Sequence, residues 1–239
     1  MKTLTFIAIT LLSGAIAGTI LGIINQGIVE PFLDQAIELE TQKKMSAGEM
    51  IDPNEVIQYR TWQKGGEVLA GTILGMSFGA LVGIVFAYGR SALPGKDNKR
   101  KALTLVGIMW LVLVFVPALK YPANPPGVGD PATVSYRQSI YVGFLLVSGL
   151  SALSLSLVYK RVRAPLNKVA IPVMYVVIMA GAYLAFPHNP DQVTVPMDLV
   201  TNFRIAGGFT MSIMWGLIGI ILGAFWDRFR PHETAKLTI

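Results

Sequence analysis

Six long apolar segments constrain the fold of this chain more than any other feature of its sequence. Each has at least 18 residues, enough for a helix rising about 1.5 Å per residue to cross about 30 Å of hydrocarbon. The segments are roughly Leu4–Ile28, Val68–Tyr88, Ala102–Leu119, Ile140–Tyr159, Val169–Phe186 and Ile205–Phe225. The sequence therefore predicts an all-α, polytopic integral membrane bundle of about six transmembrane helices, forming one domain over residues 1–239.

Composition supports a membrane protein and excludes several kinds of site. Hydrophobic residues make up 53% of the chain and charged residues 14%, whereas soluble domains carry about 25% charged residues. A soluble protein could not cover its surface with so few charges. The chain has no cysteine, which excludes disulfides, thiolate metal sites, iron–sulfur clusters and cysteine nucleophiles.

The distribution of basic residues predicts the orientation in the membrane. The two termini and the second and fourth loops together carry 13 of the 20 Lys and Arg residues, and most acidic residues lie in the other three loops. Short basic loops are typical of the cytoplasmic side, so both termini are predicted to be cytoplasmic. The net charge of +6 then reflects topology and contact with anionic lipid in the bilayer, and no nucleic acid partner is expected.

The N-terminus permits two interpretations. Residues 1–17 have a basic start, an apolar run and small residues at Ala15 and Ala17, as a signal peptide does. The apolar residues continue to Ile28, however, which favours an uncleaved membrane anchor. Either outcome leaves the first loop outside the cytoplasm.

The first loop, residues 29–64, is predicted to be an acidic, helical, extracytoplasmic segment. Apolar residues recur with helical spacing at Phe32, Ala36 and Ile37. One interpretation is a solvated helical hairpin; the other is a vestibule whose carboxylates raise the local concentration of cations. The acidic residues are Glu30, Asp34, Glu38, Glu40, Glu49, Asp52 and Glu55.

Glycines recur every four residues in the first two apolar segments, where the hexapeptide AGTILG occurs twice. Such spacing stacks glycines on one helix face and allows another helix to approach closely. This glycine zipper is predicted to pack helices within the chain, with contact to another membrane subunit as the alternative. The residues are Gly14, Gly18, Gly22, Gly71, Gly75, Gly79 and Gly83.

The apolar segments contain no Asp, Glu, Lys, Arg or His between their ends; Glu67, Lys120 and Arg204 lie at boundaries. Ion-coupled transporters usually place ionisable groups at membrane depth, so their absence argues against a self-sufficient proton-driven transporter. The chain also lacks a P-loop, an HExxH motif and any nucleophile–base pair. We therefore expect that it is not an enzyme.

Two proline-rich loops, residues 120–139 and 187–204, are predicted to lie outside the cytoplasm. Each leaves a helix through a Pro-x-Asn-Pro turn, then presents an aspartate, Asp130 or Asp191, and reaches an arginine before the next apolar segment. Proline lowers the entropy cost of holding polar groups in one geometry. The loops are thus expected to be rigid.

The motif YPANPPGVGDP, followed by Tyr-Arg-x-x-x-Tyr, resembles the central motif of the CbtA-type family of predicted cobalt transporter subunits. The resemblance extends to the glycine-rich first segment, the acidic helix after it and the late segment FRIAGGFTMSIMWGLIGIILG. It implies a multispan protein of the cell membrane that is linked to cobalt uptake for cobalamin. It also implies a small single-span partner with a His-rich tail. The family is described with five spans, whereas six apolar segments occur here.

For such a protein, Co²⁺ is the expected transported ion, with Ni²⁺ as the alternative, and no tightly bound cofactor is expected. Both ions accept imidazole nitrogen and carboxylate oxygen. His188, Asp130 and Asp191 are the candidate metal ligands, and Glu38 or Glu40 and the amide oxygens of the loop asparagines are further candidates. The other candidate motif residues are Tyr121, Pro122, Asn124, Pro125, Pro126, Gly129, Arg137, Asn189 and Arg204.

A structural role for the same residues is the alternative. Asp130 would then cap a turn or pair with Arg137, and Asp191 would pair with Arg204. At the level of the whole chain, two functions stay open: a subunit of a divalent metal uptake system, or a non-transporting subunit of a larger membrane complex.

Overall fold

A computed structural model describes residues 2–159, 161 and 166–233. The described residues form seven α-helices and no strand. The helices are α1 (Thr3–Ile28), α2 (Glu30–Ser46), α3 (Pro53–Gly89), α4 (Asn98–Lys120), α5 (Val134–Tyr159), α6 (Leu166–Ala185) and α7 (Met197–Phe229). All except α2 are long and apolar enough to span a membrane. The predicted all-α bundle with six spans is therefore confirmed.

The connections alternate between the two ends of the bundle. At the terminal end, where α1 begins and α7 ends, the Lys2 N–H donates to the Pro231 oxygen at 2.8 Å and the Asn98 amide donates to Asp227 at 2.6 Å. At the loop end, which carries the connections after α1, α4 and α6, the Thr194 hydroxyl donates to the Gly127 oxygen at 3.1 Å. Which end faces the cytoplasm stays a prediction.

Two of the apolar segments belong to helices much longer than a membrane is thick. Helix α3 has 37 residues, about 55 Å at 1.5 Å per residue, so its first four turns extend beyond the hydrocarbon at the loop end. Asp52 caps its N-terminus by accepting the Asn54 N–H at 2.8 Å. Helix α7 begins at Met197, eight residues before the apolar segment predicted to start at Ile205.

Helix α2 lies against the protruding part of α3 through a cluster of charges. Arg60 pairs with Glu30 and, at 2.8 Å, with Asp34, which Lys64 also contacts at 2.7 Å. Burial acts to raise the pKa of Asp34, but hydrogen bonds from Lys64 and Arg60, together with their charges, hold it below its ordinary value. The first loop is thus a helical hairpin held by ion pairs.

The repeated glycines face one another between α1 and α3. A Cβ atom on Gly18 would lie 2.9 Å from the Gly75 Cα, and one on Gly79 would lie 2.6 Å from the Thr10 oxygen. Real side chains do not tolerate such distances, so the close approach of the two backbones requires glycine. At the loop end of this seam, a Cβ on Gly22 would lie 2.6 Å from the Val68 Cα.

The buried core lies among α1, α3, α4 and α7. Trp226 is 1% exposed and contacts Phe86 and Phe6 edge-to-face, with ring centroids 4.9 and 6.0 Å apart. Trp215 packs on Phe78 with centroids 5.0 Å apart. Helices α5 and α6 form a second unit beside α4, and most of α6 is exposed.

Helix α4 contains a π-helical segment, Leu111–Phe115, which ends two residues before Pro117. The Val116 N–H donates to the Leu111 oxygen, five residues back, so the next residue should donate to the Val112 oxygen. Proline has no N–H, and the buried Ser148 hydroxyl of α5 donates to this oxygen instead, at 2.5 Å. This bond connects α4 to the α5–α6 unit, and the Tyr175 hydroxyl of α6 lies 2.8 Å from Ser148.

Candidate functional site at the loop end

The two proline-rich loops begin side by side. The connection after α4 runs over residues 121–133 and the connection after α6 over residues 186–196, so each predicted loop also includes the first turns of the following helix. At the end of α4, the Lys120 ammonium donates to the Tyr183 oxygen at 2.8 Å. Next to it, the Tyr121 hydroxyl donates to the Pro187 oxygen at 2.6 Å. Burial, and then the charge of Tyr136, raises the pKa of Tyr121, so this donor stays protonated.

Asp191 is the centre of the contact between the loops. Its Oδ2 atom accepts from the Arg137 Nε at 2.8 Å, from the Thr133 hydroxyl at 2.7 Å and from the Asp130 N–H at 3.2 Å. The Asp191 side chain is 8% exposed and that of Arg137 is 24% exposed. Asp191 belongs to the second proline-rich loop, and the three donors that hold it come from the first loop and the helix after it.

Arg204 makes the reciprocal contact. This arginine lies in the second turn of α7, after the second proline-rich loop, and reaches back to the first. Its Nε donates to the Ala123 oxygen at 3.0 Å, and a terminal nitrogen donates to the Asn124 amide oxygen at 2.6 Å. Arg137 thus holds the second proline-rich loop, and Arg204 holds the first.

This crossed pattern corrects the predicted pairing within each loop. Arg137 pairs with Asp191 and contacts only the backbone oxygen of Asp130, at 3.1 Å. Arg204 forms no ion pair with an aspartate among the residues that the structure describes. The predicted turn cap is present, because the Asp130 carboxylate accepts the Ala132 N–H at 2.8 Å. Arg137 pairs with Asp191 because the Asp130 carboxylate is already used in the turn cap, whereas the Asp191 carboxylate lies directly beside the start of α5.

Gly129 is required at this contact for two reasons. Its φ of 99° lies in the left-handed region, which disfavours side chains. A Cβ atom there would also lie 2.6 Å from an Arg137 nitrogen and 2.7 Å from the Asp191 Oδ2. The glycine in the motif GVGDP therefore makes room for the ion pair.

A groove begins between helices α2 and α3 and continues between α2 and the proline-rich loops. It comprises two adjoining cavities of about 650 and 720 Å³, which share Glu40, Lys44, Glu49 and Pro126. Glu55 lines the first cavity and Lys43 the second. Arg60 and Arg137 also line the groove, but both are paired with other acids, as described above. Glu40 pairs with Lys44 at 2.8 Å.

The structure places the three candidate metal ligands on the same loops but does not gather them into a metal site. His188 and Asp130 are exposed, whereas the Asp191 carboxylate is engaged by Arg137 and Thr133. Asn189 accepts the Asp191 N–H at 3.1 Å and so shapes the turn. Among the described residues, no three His, Asp or Glu side chains are grouped as a metal ion would require.

Sequence reasoning missed several residues at this end. Thr133 and Thr194 connect the loops, and the Asp-Pro-x-Thr order at residues 130–133 is a turn signal that could have identified the first of them. Asn25 of α1 and Glu67 of α3 also meet here, and one buried oxygen of each side chain has no hydrogen-bond partner among the described residues. No sequence pattern indicates that pair, since 41 residues separate its members.

The comparisons with known proteins agree with the membrane architecture. A family model described as "Probable cobalt transporter subunit (CbtA)" matches residues 3–227 of the 239-residue chain. No curated protein and no solved structure matches the chain. Because the family match covers nearly the whole of this multi-pass membrane protein, the chain belongs to the CbtA family of probable cobalt transporter subunits.

Proposed function

We propose that this protein is the membrane subunit of a cobalt uptake system that supplies cobalamin synthesis, located in the cell membrane. Its loop end, in this proposal, faces outside and forms the ion entrance. The observation that carries the proposal is the crossed contact of the proline-rich loops, Arg137 with Asp191 and Arg204 with Asn124, beside a groove lined by glutamates.

The crossed contact suits an entrance because it fixes the shape of the groove wall. Proline limits the conformations available to each loop, and the two arginine contacts then join the loops to each other. Glu40, Glu49 and Glu55 line the groove against Lys43 and Lys44. The small excess of negative charge attracts cations weakly, as a route that must release its ion requires.

The candidate ligands have different roles in this proposal. His188 and Asp130 are exposed and offer an imidazole nitrogen and carboxylate oxygen to an arriving Co²⁺ or Ni²⁺ ion. Asp191 is a positioning residue, because its Oδ2 atom already accepts from three donors. One imidazole and a few carboxylates bind weakly, so a His-rich partner subunit would supply the remaining ligands.

Uptake of Co²⁺ into proteoliposomes, with and without a candidate His-rich partner, tests this function. We expect the triple variant Glu40→Gln, Glu49→Gln, Glu55→Gln to slow uptake about threefold at low Co²⁺ concentration and much less at saturating concentration, because cation capture depends on local charge. Asp198→Asn is the matched control: Asp198 is exposed in the first turn of α7, at the same end, but does not line the groove. Equal uptake by all variants at every concentration would contradict the proposed entrance.

A non-transporting subunit of a larger complex is the second candidate. Helix α6 packs mainly on α5 and is otherwise largely exposed, and Gly208 and Gly216 of α7 have no atom near the position of a Cβ. Surfaces of this kind are typical of contacts with further membrane helices. Absence of Co²⁺ uptake with every candidate partner, together with stable co-purification of a larger complex, would favour this second function.

A further inference from the structure

Glu67 is a partly buried acid that the proposed ion entrance does not use. It lies on α3 at the loop end of the glycine seam, where its backbone oxygen would lie 3.1 Å from a Cβ atom on Gly22. The side chain of Asn25, on α1, lies beside the Glu67 carboxyl group. Oε2 of Glu67 and Oδ1 of Asn25 are both buried, and neither has a hydrogen-bond partner within the part of the chain that the structure describes.

The charges around Glu67 come from the hairpin described above. Those that face it are Glu30 from α2 and Arg60 and Lys64 from its own helix, whereas α1 contributes the neutral Asn25. Arg60 is already paired with Glu30 and Asp34, and Lys64 with Asp34. With Glu67 ionised, this group contains three carboxylates and two cations.

An ionised Glu67 would therefore leave one negative charge without compensation and two acceptor oxygens without a donor. Burying a carboxylate oxygen with no partner costs several kcal/mol, and proteins usually remove the cost by protonation. A proton on Glu67 balances the charges and converts one acceptor into a donor. Solvent at the loop end can supply and accept this proton, because Lys64 and Asp34 in the same cluster are exposed by 41% and 48%.

We propose that Glu67 and Asn25 form a proton-binding site at the loop end of the α1–α3 seam, and that Glu67 is neutral at neutral pH. The site gives the chain a group that binds and releases a proton at the boundary of the membrane, whereas the apolar segments themselves contain none. A proton-coupled transporter needs such a group. The proposal does not depend on metal transport, and its test measures protonation directly.

Infrared spectroscopy of the purified full-length protein, in a buffer containing a metal chelator, tests the proposal. A neutral carboxylic acid has a C=O stretching band that a carboxylate lacks. We expect the wild-type protein to show this band at neutral pH, Glu67→Gln to lose it and Glu38→Gln to retain it. Glu38 is the control, because it is an exposed acid of α2 that belongs to none of the ion pairs around Glu67.

Asn25→Leu keeps the test informative if Glu67→Gln does not fold. The polar Asn25 amide favours the ionised form of Glu67, and leucine removes this influence. The band should therefore persist to a higher pH in this variant than in the wild-type protein. Absence of the band from the wild-type protein at neutral pH, or a band unaffected by both Glu67→Gln and Asn25→Leu, would overturn the proposal.

Discussion

At the scale of single residues, the loop end depends on a few side chains that each satisfy several partners. Asp191 accepts three donors on one oxygen, and Gly129 leaves the space that this contact needs. Arg204 satisfies both a backbone oxygen and an amide oxygen of the other loop. A substitution here removes more than one contact, so its effect should exceed that of an ordinary surface change.

We expect Asp191→Asn to lower the stability of the purified protein by about 2 kcal/mol, because it leaves a partly buried Arg137 without its counter-charge. Thermal unfolding in detergent measures the effect. In a double-mutant cycle, Asp191→Asn should cost much less stability when Arg137 is already replaced by Gln, because the two residues then no longer interact.

The matched control for this prediction is Asp130→Asn. Asparagine caps a turn about as well as aspartate, so the bond to the Ala132 N–H survives and the loss should stay below about 0.5 kcal/mol. Equal losses for Asp130→Asn and Asp191→Asn would show that the crossed ion pair does not hold the loops.

At the scale of elements, Pro117 changes how α4 meets its neighbour. Pro117 has no N–H to donate to the Val112 oxygen as the π-helical pattern would require, and the Ser148 hydroxyl of α5 donates to this oxygen. Because Pro117 lacks an N–H, the donor to the Val112 oxygen comes from a different helix. This hydrogen bond connects the α5–α6 unit to the core. Without this bond, a buried carbonyl group would face hydrocarbon.

We expect Ser148→Ala to lower thermal stability by about 1 kcal/mol, because it leaves the Val112 oxygen unpaired. In a Pro117→Ala background the new Ala N–H can donate to that oxygen, so the same Ser148 substitution should cost much less.

Ser156→Ala is the control for the Ser148 prediction. The Ser156 hydroxyl bonds within its own helix, to the Leu153 oxygen at 2.7 Å, and its substitution should cost little. An equal cost of Ser148→Ala with and without Pro117 would contradict the explanation given for the π-helical segment.

At the scale of the whole molecule, the six spans alternate so that the proline-rich loops and the α2–α3 hairpin share one end, whereas the start of α1 and the end of α7 share the other. The basic residues concentrate at the terminal end, which predicts that this end is cytoplasmic. The proposed ion entrance requires the same orientation.

Single-cysteine labelling can determine the orientation, because the chain has no cysteine of its own. Gln192 and Lys96 are exposed at the loop end and the terminal end. We expect a membrane-impermeant maleimide to label Gln192→Cys in intact cells and Lys96→Cys only after the membrane is permeabilised. The reverse pattern would place the proline-rich loops in the cytosol and contradict the proposed entrance.

Much of the architecture could be predicted because it depends on local patterns. Apolar length predicts six spans whatever their neighbours are, and helical spacing predicts α2. The apolar segments predict the starts of two helices less accurately. Helix α3 begins at Pro53 and α7 at Met197, before the apolar segments, because their first turns are too polar for the membrane yet still helical. Hydropathy detects the lipid-facing part of a helix and not its extension into water.

The sequence by itself determined the fold class, the number of spans, the repeated glycines and the residues of both proline-rich loops, because each is a property of neighbouring residues. Only the tertiary structure decided that Arg137 pairs with Asp191, that Arg204 contacts Asn124 and that Glu67 meets Asn25. In the sequence, each arginine has an aspartate before it in its own loop. Contacts between distant segments depend on how the helices pack, and the sequence permits both pairings until packing selects one.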